Sequence, residues 1–296
     1  MKIIVLGSKG QLGHCLADQL TVPSYDVFYA SRLEIDISKF EDTRKKISSI
    51  EPEVIINASA YTAVDQAEEN ESLANLVNHL AVKNLAQICE QQGSLLIHIS
   101  TDYVFDGRSK HKYKEKDQTN PQCIYGQTKL SGELSIQSSD CNYIILRTSW
   151  LYSEYRNNFL KTVLGLAKEK EKLDIVDDQM GSPTYAQDLA IAVKDILGAC
   201  SEENSLRRVY HYAGNIDCSW ADFASDICAE AADIGLINNV PSVNRITSRE
   251  FLTLAKRPKN SCLDSTSFKS AFGTTPSDYK KGVSATLGAL KNKNED

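Results

Sequence analysis

The sequence predicts an α/β protein: a doubly wound parallel sheet over residues 1–150, completed at about 184–215, with a smaller lobe from 151–183 and 216–296. Three observations carry that expectation. Short continuous apolar runs recur through the first half, the pattern of strands buried on both faces. Helix-forming stretches separate them, and strands alternating with helices imply a parallel sheet with right-handed crossovers. The first run also passes at once into Gly7-Ser-Lys-Gly10-Gln-Leu-Gly13, a glycine turn that opens a helix.

Lys2–Leu6 is the first strand. Gly7, Gly10 and Gly13 then allow a tight turn, close backbone approach to a pyrophosphate at the helix N-terminus, and close helix-to-strand contact, which makes the fold Rossmann-type. The helix runs to Leu20. A second strand, Asp26–Ala30, ends where an acidic residue would bind the ribose 2′-hydroxyl of NAD. Ser31-Arg32 stands there instead and Lys9 lies in the glycine loop, so these cations can meet a 2′-phosphate. NADPH is the expected cofactor, with NADH left open, because solvated surface cations would read the same way. Asp36 and Ile37 follow, placed to border the adenine.

A third strand, Glu53–Asn57, leads into small residues at 58–65 that let a cofactor lie against backbone, and then into a helix from about Ser72 to Gln92. The fourth, Ser94–Ser100, ends in Ser100-Thr-Asp-Tyr-Val-Phe-Asp-Gly107. Ligands of open α/β sheets bind beyond the carboxyl ends of the strands, so topology alone puts Thr101 and Asp102 at the site. A fifth strand, Tyr143–Arg147, runs into Thr148-Ser-Trp150. The pattern then loosens. A helix opens at Asn157-Asn-Phe159 and runs to about Lys170, Leu173–Val176 is a short strand, and Ser182-Pro-Thr184 caps a helix to about Cys200. Val209–Ala213 is a sixth strand, Trp220–Ile234 a helix, Arg257–Leu263 irregular, and the tail after Lys291 reads as frayed.

The chemistry centres on Tyr125 and Lys129, four residues apart in a stretch that reads as helix and therefore on one face of it. An ammonium beside a phenol favours the phenolate and pulls the tyrosine down from about 10 toward working pH. Such a phenol suits proton transfer to a carbonyl oxygen, and so ketone reduction. His98 and His211 lie within strands and read as satisfied core residues. Cys123, two residues before Tyr125, falls near the expected pocket, where oxidation could inactivate.

Composition narrows the class. Across 296 residues, 42% hydrophobic and 24% charged is ordinary for a globular chain. With a net charge of −6 and scattered Lys and Arg, no nucleic-acid partner is expected. No run approaches the ~18 consecutive apolar residues that span a bilayer, and Met1–Gly7 shows no signal-like cleavage site, so the expected location is cytoplasmic with no membrane association. The eight cysteines lack metal-type spacing and are expected to be reduced thiols packed as small apolar residues.

Together Gly7-x-x-Gly-x-x-Gly13, Ser100-Thr-Asp-Tyr-Val-Phe105, Tyr125-Gly-x-Thr-Lys-Leu-x-Gly-Glu133, Arg147-Thr-Ser-Trp150, Asn157-Asn-Phe159, Asp178-Gln-x-Gly-Ser-Pro-Thr184 and Arg257-Pro-x-Asn-Ser261 closely resemble the dTDP-4-dehydrorhamnose reductase family, among the extended short-chain dehydrogenase/reductases. The resemblance runs from residue 2 to about residue 275. It implies reduction of the C4 ketone of a dTDP-4-dehydro-β-L-rhamnose substrate to dTDP-β-L-rhamnose with NAD(P)H, in nucleotide-sugar biosynthesis. Carried over by position, Tyr125 is the proton donor, Lys129 tunes it and holds the nicotinamide ribose, and Thr101 positions Tyr125 and the carbonyl. Gly10, Gln11 and Leu12 would line the pyrophosphate, Asp36 and Ile37 the adenine side, and Ala60, Tyr61 and Thr62 the ribose and nicotinamide. Thr101, Asp102 and Trp150 would contact the nucleotide sugar, with Asn158 on the same side. Arg257 stands either for a diphosphate contact or for a structural ion pair.

Some family reductases are linked as dimers through a metal held by acidic side chains. Gln11-Leu-Gly-His-Cys15 offers no such carboxylate, so no metal is expected, and a homodimer stays open. A reductase or epimerase for another 4-keto-6-deoxy sugar nucleotide would share the glycine turn and the Tyr-Lys pair. A sugar-nucleotide dehydratase would need an Asp-Glu pair after the fourth strand, where Asp102 is followed by Tyr103. The regulatory subunit of methionine adenosyltransferase resembles the same family, so a binding subunit without turnover is the alternative from a different class.

Overall fold

A computed structural model describes residues 1–199 and 206–295. Six parallel strands form its main sheet: β1 (Lys2–Leu6), β2 (Asp26–Ala30), β3 (Val54–Asn57), β4 (Leu95–Thr101), β5 (Asn142–Thr148) and β6 (Arg207–His211), in the spatial order β6-β5-β4-β3-β1-β2. The expected doubly wound sheet is thus present. β1 pairs with β2 on one side and β3 on the other, with Ile4 opposite Phe28 and Ile55, so the order reverses there and opens a crevice at the carboxyl ends.

The apolar runs explain the layering. The principal helices are α1 (Gln11–Gln19), α2 (Phe40–Ile50), α3 (Ala81–Gln92), α4 (Ile124–Gln137), α5 (Phe159–Glu169), α6 (Ala186–Ala199), α7 (Trp220–Asp233), α8 (Thr266–Phe272) and α9 (Tyr279–Glu295). Successive strand residues point to opposite faces. Ile3, Val5, Ile56 and Leu146 pack toward Leu16 of α1, Leu189 and Val193 of α6 and Phe268 of α8. Ile4, Leu6, Ile55 and Ile145 pack toward Ile47 of α2, Leu85 and Ile88 of α3 and Ile136 of α4. Each such fully buried side chain contributes about 1.5–3 kcal/mol. A third cluster joins α5, α7 and α9 through Leu160, Val163, Phe223, Ile227, Val283 and Leu287.

Several expected elements differ. The helix from about Ser72 is interrupted: Glu71–Asn75 passes through a π turn, Leu76–Leu80, before α3 begins. The bulge has a purpose. It turns the Asn78 amide onto both backbone groups of Tyr61, at 2.8 and 3.1 Å, clamping the loop after β3. Ser182 and Thr184 cap no helix: Thr184–Tyr185 pairs with Leu151–Tyr152, and the Ser182 hydroxyl donates to Asp217 at 2.7 Å. The expected helix end at Cys200 lies outside the described residues. Lys172–Val176 finds a parallel partner in Ser242–Ile246, whose Ser-Val-Asn-Arg-Ile sequence carries no apolar alternation. The expected frayed tail is instead helical, α9 continuing to Glu295.

Candidate active site

The carboxyl ends of the central strands open into a cleft of about 510 Å³. It gathers Gly10, Gln11 and Leu12 from the glycine turn, Ala60 and Thr62 from the loop after β3, Thr101 and Asp102 from β4, Tyr125 and Lys129 from α4, and Trp150 and Arg257 from farther along the chain. A second cavity of about 350 Å³ is lined by Gly7, Lys9, Arg32, Asp36, Ile37, Ala60 and Tyr61. The groups expected around an adenosine and those expected around a nicotinamide therefore sit in neighbouring hollows that share Gly10 and Ala60.

The glycine turn fits a dinucleotide on geometric grounds. A Cβ on Gly13 would lie 2.4 Å from the Gly7 carbonyl oxygen, and one on Gly7, whose φ is +80°, would lie 2.9 Å from Ala58 backbone. Helix α1 meets β1 so closely that only hydrogen fits between them. Gly10 is the helix N-cap, no side chain caps it, and the first turn carries no acid, which leaves a positive helix end for a pyrophosphate.

At the heart of the cleft, Tyr125 is 9% exposed and meets Tyr103 edge-on, ring centroids 5.5 Å apart. The Thr101 hydroxyl donates to Asp102 Oδ1 at 2.9 Å. Burial pushes the Asp102 carboxyl up to about 6, against hydrogen bonds from Ser261 and Thr101 that favour its ionised form, and among the described residues no group meets Oδ2 at full hydrogen-bond geometry. Burial likewise raises the Tyr125 phenol above its ordinary value, partly offset by a hydrogen bond with Thr101.

The expected effect of Lys129 on that phenol is absent from this geometry. Tyr125 and Lys129 do share a face of α4, but Nζ donates to the Ile99 carbonyl at 2.6 Å and lies 3.3 Å from His98 Nε2, both on β4. Burial lowers the lysine itself to about 8, with Glu133 opposing. His98 and His211 are core residues as expected, both fully buried. Yet His98 touches the candidate machinery, which its place inside a strand did not reveal.

Other site residues take more structural parts than expected. Asn158 does not line either hollow: it caps α5 by accepting from Lys161 N–H, and its Nδ2 donates to Gln11 Oε1 at 2.8 Å and to the Ser153 carbonyl at 2.7 Å. It supports Gln11 from behind. Trp150, with φ +47°, lines the cleft but stacks face to face on Trp220, centroids 3.3 Å apart. Arg257 forms the ion pair expected as one of its readings, 2.9 Å from Asp65 Oδ2, while its buried Nε has no partner among the described residues. Arg32 pairs with Asp36 at 3.2 Å and is 77% exposed. Cys123 is buried and its thiol is pushed up to about 11 by that burial, which argues against the expected oxidative inactivation through it.

Two features escaped the sequence. Arg156 lines both hollows, and its Nε donates to the Lys9 carbonyl at 2.5 Å; its only signal was its position just before Asn157-Asn-Phe159. Beneath the site, Arg147 and Glu133 form a buried pair at 2.6 Å, with the Ser100 hydroxyl also donating to the carboxylate at 2.5 Å. Both residues stood in the quoted motifs, but nothing in their spacing paired them. Among the described residues no group of three or more His, Cys, Asp and Glu side chains is placed to hold a metal ion.

A doubly wound parallel sheet, a glycine turn on its first helix, and a Tyr-x-x-x-Lys helix packed beyond β4 define a reductase of the short-chain dehydrogenase type. The chain belongs to the dTDP-4-dehydrorhamnose reductase family: the family model described as RmlD substrate binding domain matches residues 1–292, nearly the whole length. It is 44% identical over 288 residues to the dTDP-4-dehydrorhamnose reductase of Aggregatibacter actinomycetemcomitans, covering 95% of this chain and 97% of the relative. The enzyme of that name from Escherichia coli K12 is 35% identical, with 98% of each chain covered. The crystal structure of dTDP-4-dehydrorhamnose reductase from Bacillus anthracis in complex with NADP superposes with a TM-score of 0.90 at 34% identity, covering 97% of this chain and 99% of that one.

Proposed function

We propose that this chain reduces the C4 ketone of dTDP-4-dehydro-β-L-rhamnose to dTDP-β-L-rhamnose, using NADPH in preference to NADH. The observation that carries the reading is the meeting of Tyr125, Thr101 and Asp102 in a cleft that opens directly onto the uncapped glycine turn. Gly7, Gly10, Gln11, Leu12 and Gly13 would hold the pyrophosphate, Asp36, Ile37 and Tyr61 the adenosine, and Lys9 with Arg32 or Arg156 a 2′-phosphate. A bound reduced nicotinamide supplies hydride to C4.

The protein's own groups do the rest. Tyr125 gives its phenolic proton to the C4 oxygen, an effect typically worth ~10²–10⁴ in rate. Thr101 orients that phenol, and Asp102 Oδ2 accepts from a sugar hydroxyl. The Nε of Arg257, which has no partner among the described residues, meets a diphosphate oxygen. Trp150 and Trp220 wall the sugar side, and the lobe of 151–183 and 216–296 covers the nucleotide. The seven described cysteines are all free and buried, in keeping with a reducing cytoplasm. Every residue given a role lies on one chain, so a homodimer is compatible with the reading but not required by it.

The test follows NADPH and NADH oxidation with freshly made dTDP-4-dehydro-L-rhamnose, the product identified by NMR. Turnover to dTDP-L-rhamnose in the wild type, lost in Tyr125→Phe while cofactor still binds, is the expected result. Retained turnover in Tyr125→Phe would overturn the assignment of the proton donor; no oxidation with bound cofactor would point to another sugar nucleotide or to a binding subunit.

A further inference from the structure

Lys129 is tied back by a hydrogen-bond chain whose direction can be followed from its far end. The backbone N–H of Ser59 can only donate, and it donates to Asn57 Oδ1 at 3.1 Å. The Asn57 amide is thereby turned so that Nδ2 faces His98 Nδ1 at 3.0 Å, and an amide NH2 also can only donate. His98 Nδ1 therefore accepts. The ring is fully buried and neutral, since burial pushes its pKa well below the ordinary value. A neutral imidazole that accepts at Nδ1 carries its proton on Nε2. That N–H faces Lys129 Nζ at 3.3 Å.

An ammonium at this position would set hydrogen against hydrogen. An amine instead offers its lone pair to His98 while still donating to the Ile99 carbonyl at 2.6 Å. Among the described residues the titratable groups that act on or share its cleft are Glu133 and Tyr125 on its own helix, His98 on β4, and Asp102 just after it. Glu133 alone favours the ammonium, and its carboxylate is already engaged by Arg147 and Ser100.

We propose that Asn57 and His98 are positioning residues that hold Lys129 as an uncharged amine against β4 in mildly alkaline solution, and that dinucleotide binding there releases Nζ from His98 to take up one proton from solvent. The released ammonium turns toward the ligand's hydroxyl groups and the Tyr125 face of α4. The anionic ligand thus supplies a counter-charge to the ammonium. The inference rests on the reading of the cleft as an NADPH site.

The experiment is calorimetry of NADPH binding to the full chain in buffers of different ionisation enthalpy, on the Tyr125→Phe background so that the phenol contributes nothing. An amine with a pKa near 8 gives about half a proton taken up per NADPH at about pH 8, rising toward one at higher pH. Asn57→Asp accepts from both Ser59 and His98 Nδ1–H, which frees His98 Nε2 to accept from an ammonium; uptake then falls to near zero while NADPH still binds. Should that variant not fold, His98→Gln carries the test, because its amide can turn oxygen toward Nζ and also abolish uptake. Lys129→Met must show none. NADPH binding without proton uptake in the parent, or uptake that persists in Lys129→Met, would overturn the inference alone. No binding heat at all would overturn the cofactor reading beneath it.

Discussion

Replacing Lys129 with Met is expected to stabilise the folded chain while removing a functional group. The lysine is 2% exposed, and burial takes its pKa from 10.5 to about 8. Each pH unit of such lowering is worth roughly 1.4 kcal/mol, so holding the charged form at neutral pH costs the native state about 3 kcal/mol. Met, of similar length, carries no such penalty, but it leaves the Ile99 carbonyl without its donor, a loss of about 1–2 kcal/mol. The net gain is about 1–2 kcal/mol at neutral pH, or a few degrees in Tm. Its pH dependence is the diagnostic part. The native pKa lies below the unfolded one, so the unfolded chain binds more protons between about 8 and 10.5, and the wild type gains stability as pH rises through that window. The advantage of the variant is therefore full below about pH 8 and reversed by about 10.5, where only the lost hydrogen bond of about 1–2 kcal/mol remains. Urea unfolding of both proteins, followed by circular dichroism across this range, measures it. A variant less stable than wild type at neutral pH, with a gap that does not change with pH, would refute the reasoning.

Three further outcomes follow from geometry already described. Asp102, whose carboxyl titrates at about 6, should give kcat/KM an acid limb near that pH, absent in a weakly active Asp102→Asn measured over the same profile. Gly13→Ala should destabilise by about 1–3 kcal/mol and weaken NADPH binding, because the added methyl meets Gly7 and Ser8 backbone, which has no room to yield; thermal melts and a fluorescence titration check both. Glu133→Gln should cost about 3–5 kcal/mol in chemical denaturation, since it leaves the buried Arg147 guanidinium uncompensated; an unchanged midpoint would mean that the pair contributes little.

The sheet and the Tyr125 helix were legible because they rest on strong local signals. Residues 3–6 and 54–56 are continuous buried apolar runs, as strands covered on both faces must be, and the glycine turn announces the crevice. What stayed hidden depends on tertiary direction. Spacing puts Lys129 on the face of Tyr125 but cannot say that its long side chain reaches down to Ile99 instead. Asn158 sits in a motif, yet whether an amide caps a helix or meets a ligand is decided by where the chain turns, and here the cap takes it. Ser242–Ile246 pairs at an edge with little burial, so its composition had no reason to look like a strand. Arg156, at φ +55°, adopts a left-handed backbone that a non-glycine sequence gives no cause to expect.

The stacked indoles at the mouth of the cleft carry an optical consequence. Trp150 and Trp220 are the chain's two tryptophans, they lie 3.3 Å apart, and both line the same hollow. All tryptophan emission from this protein thus originates beside its reaction chamber, one lamp hung on the loop after β5 and the other on the first turn of α7. Indole emission overlaps the absorption of reduced nicotinamide, so arrival of the coenzyme dims that light by energy transfer, and separation of the two rings alters its colour. The molecule comes with its own probe of what enters the site.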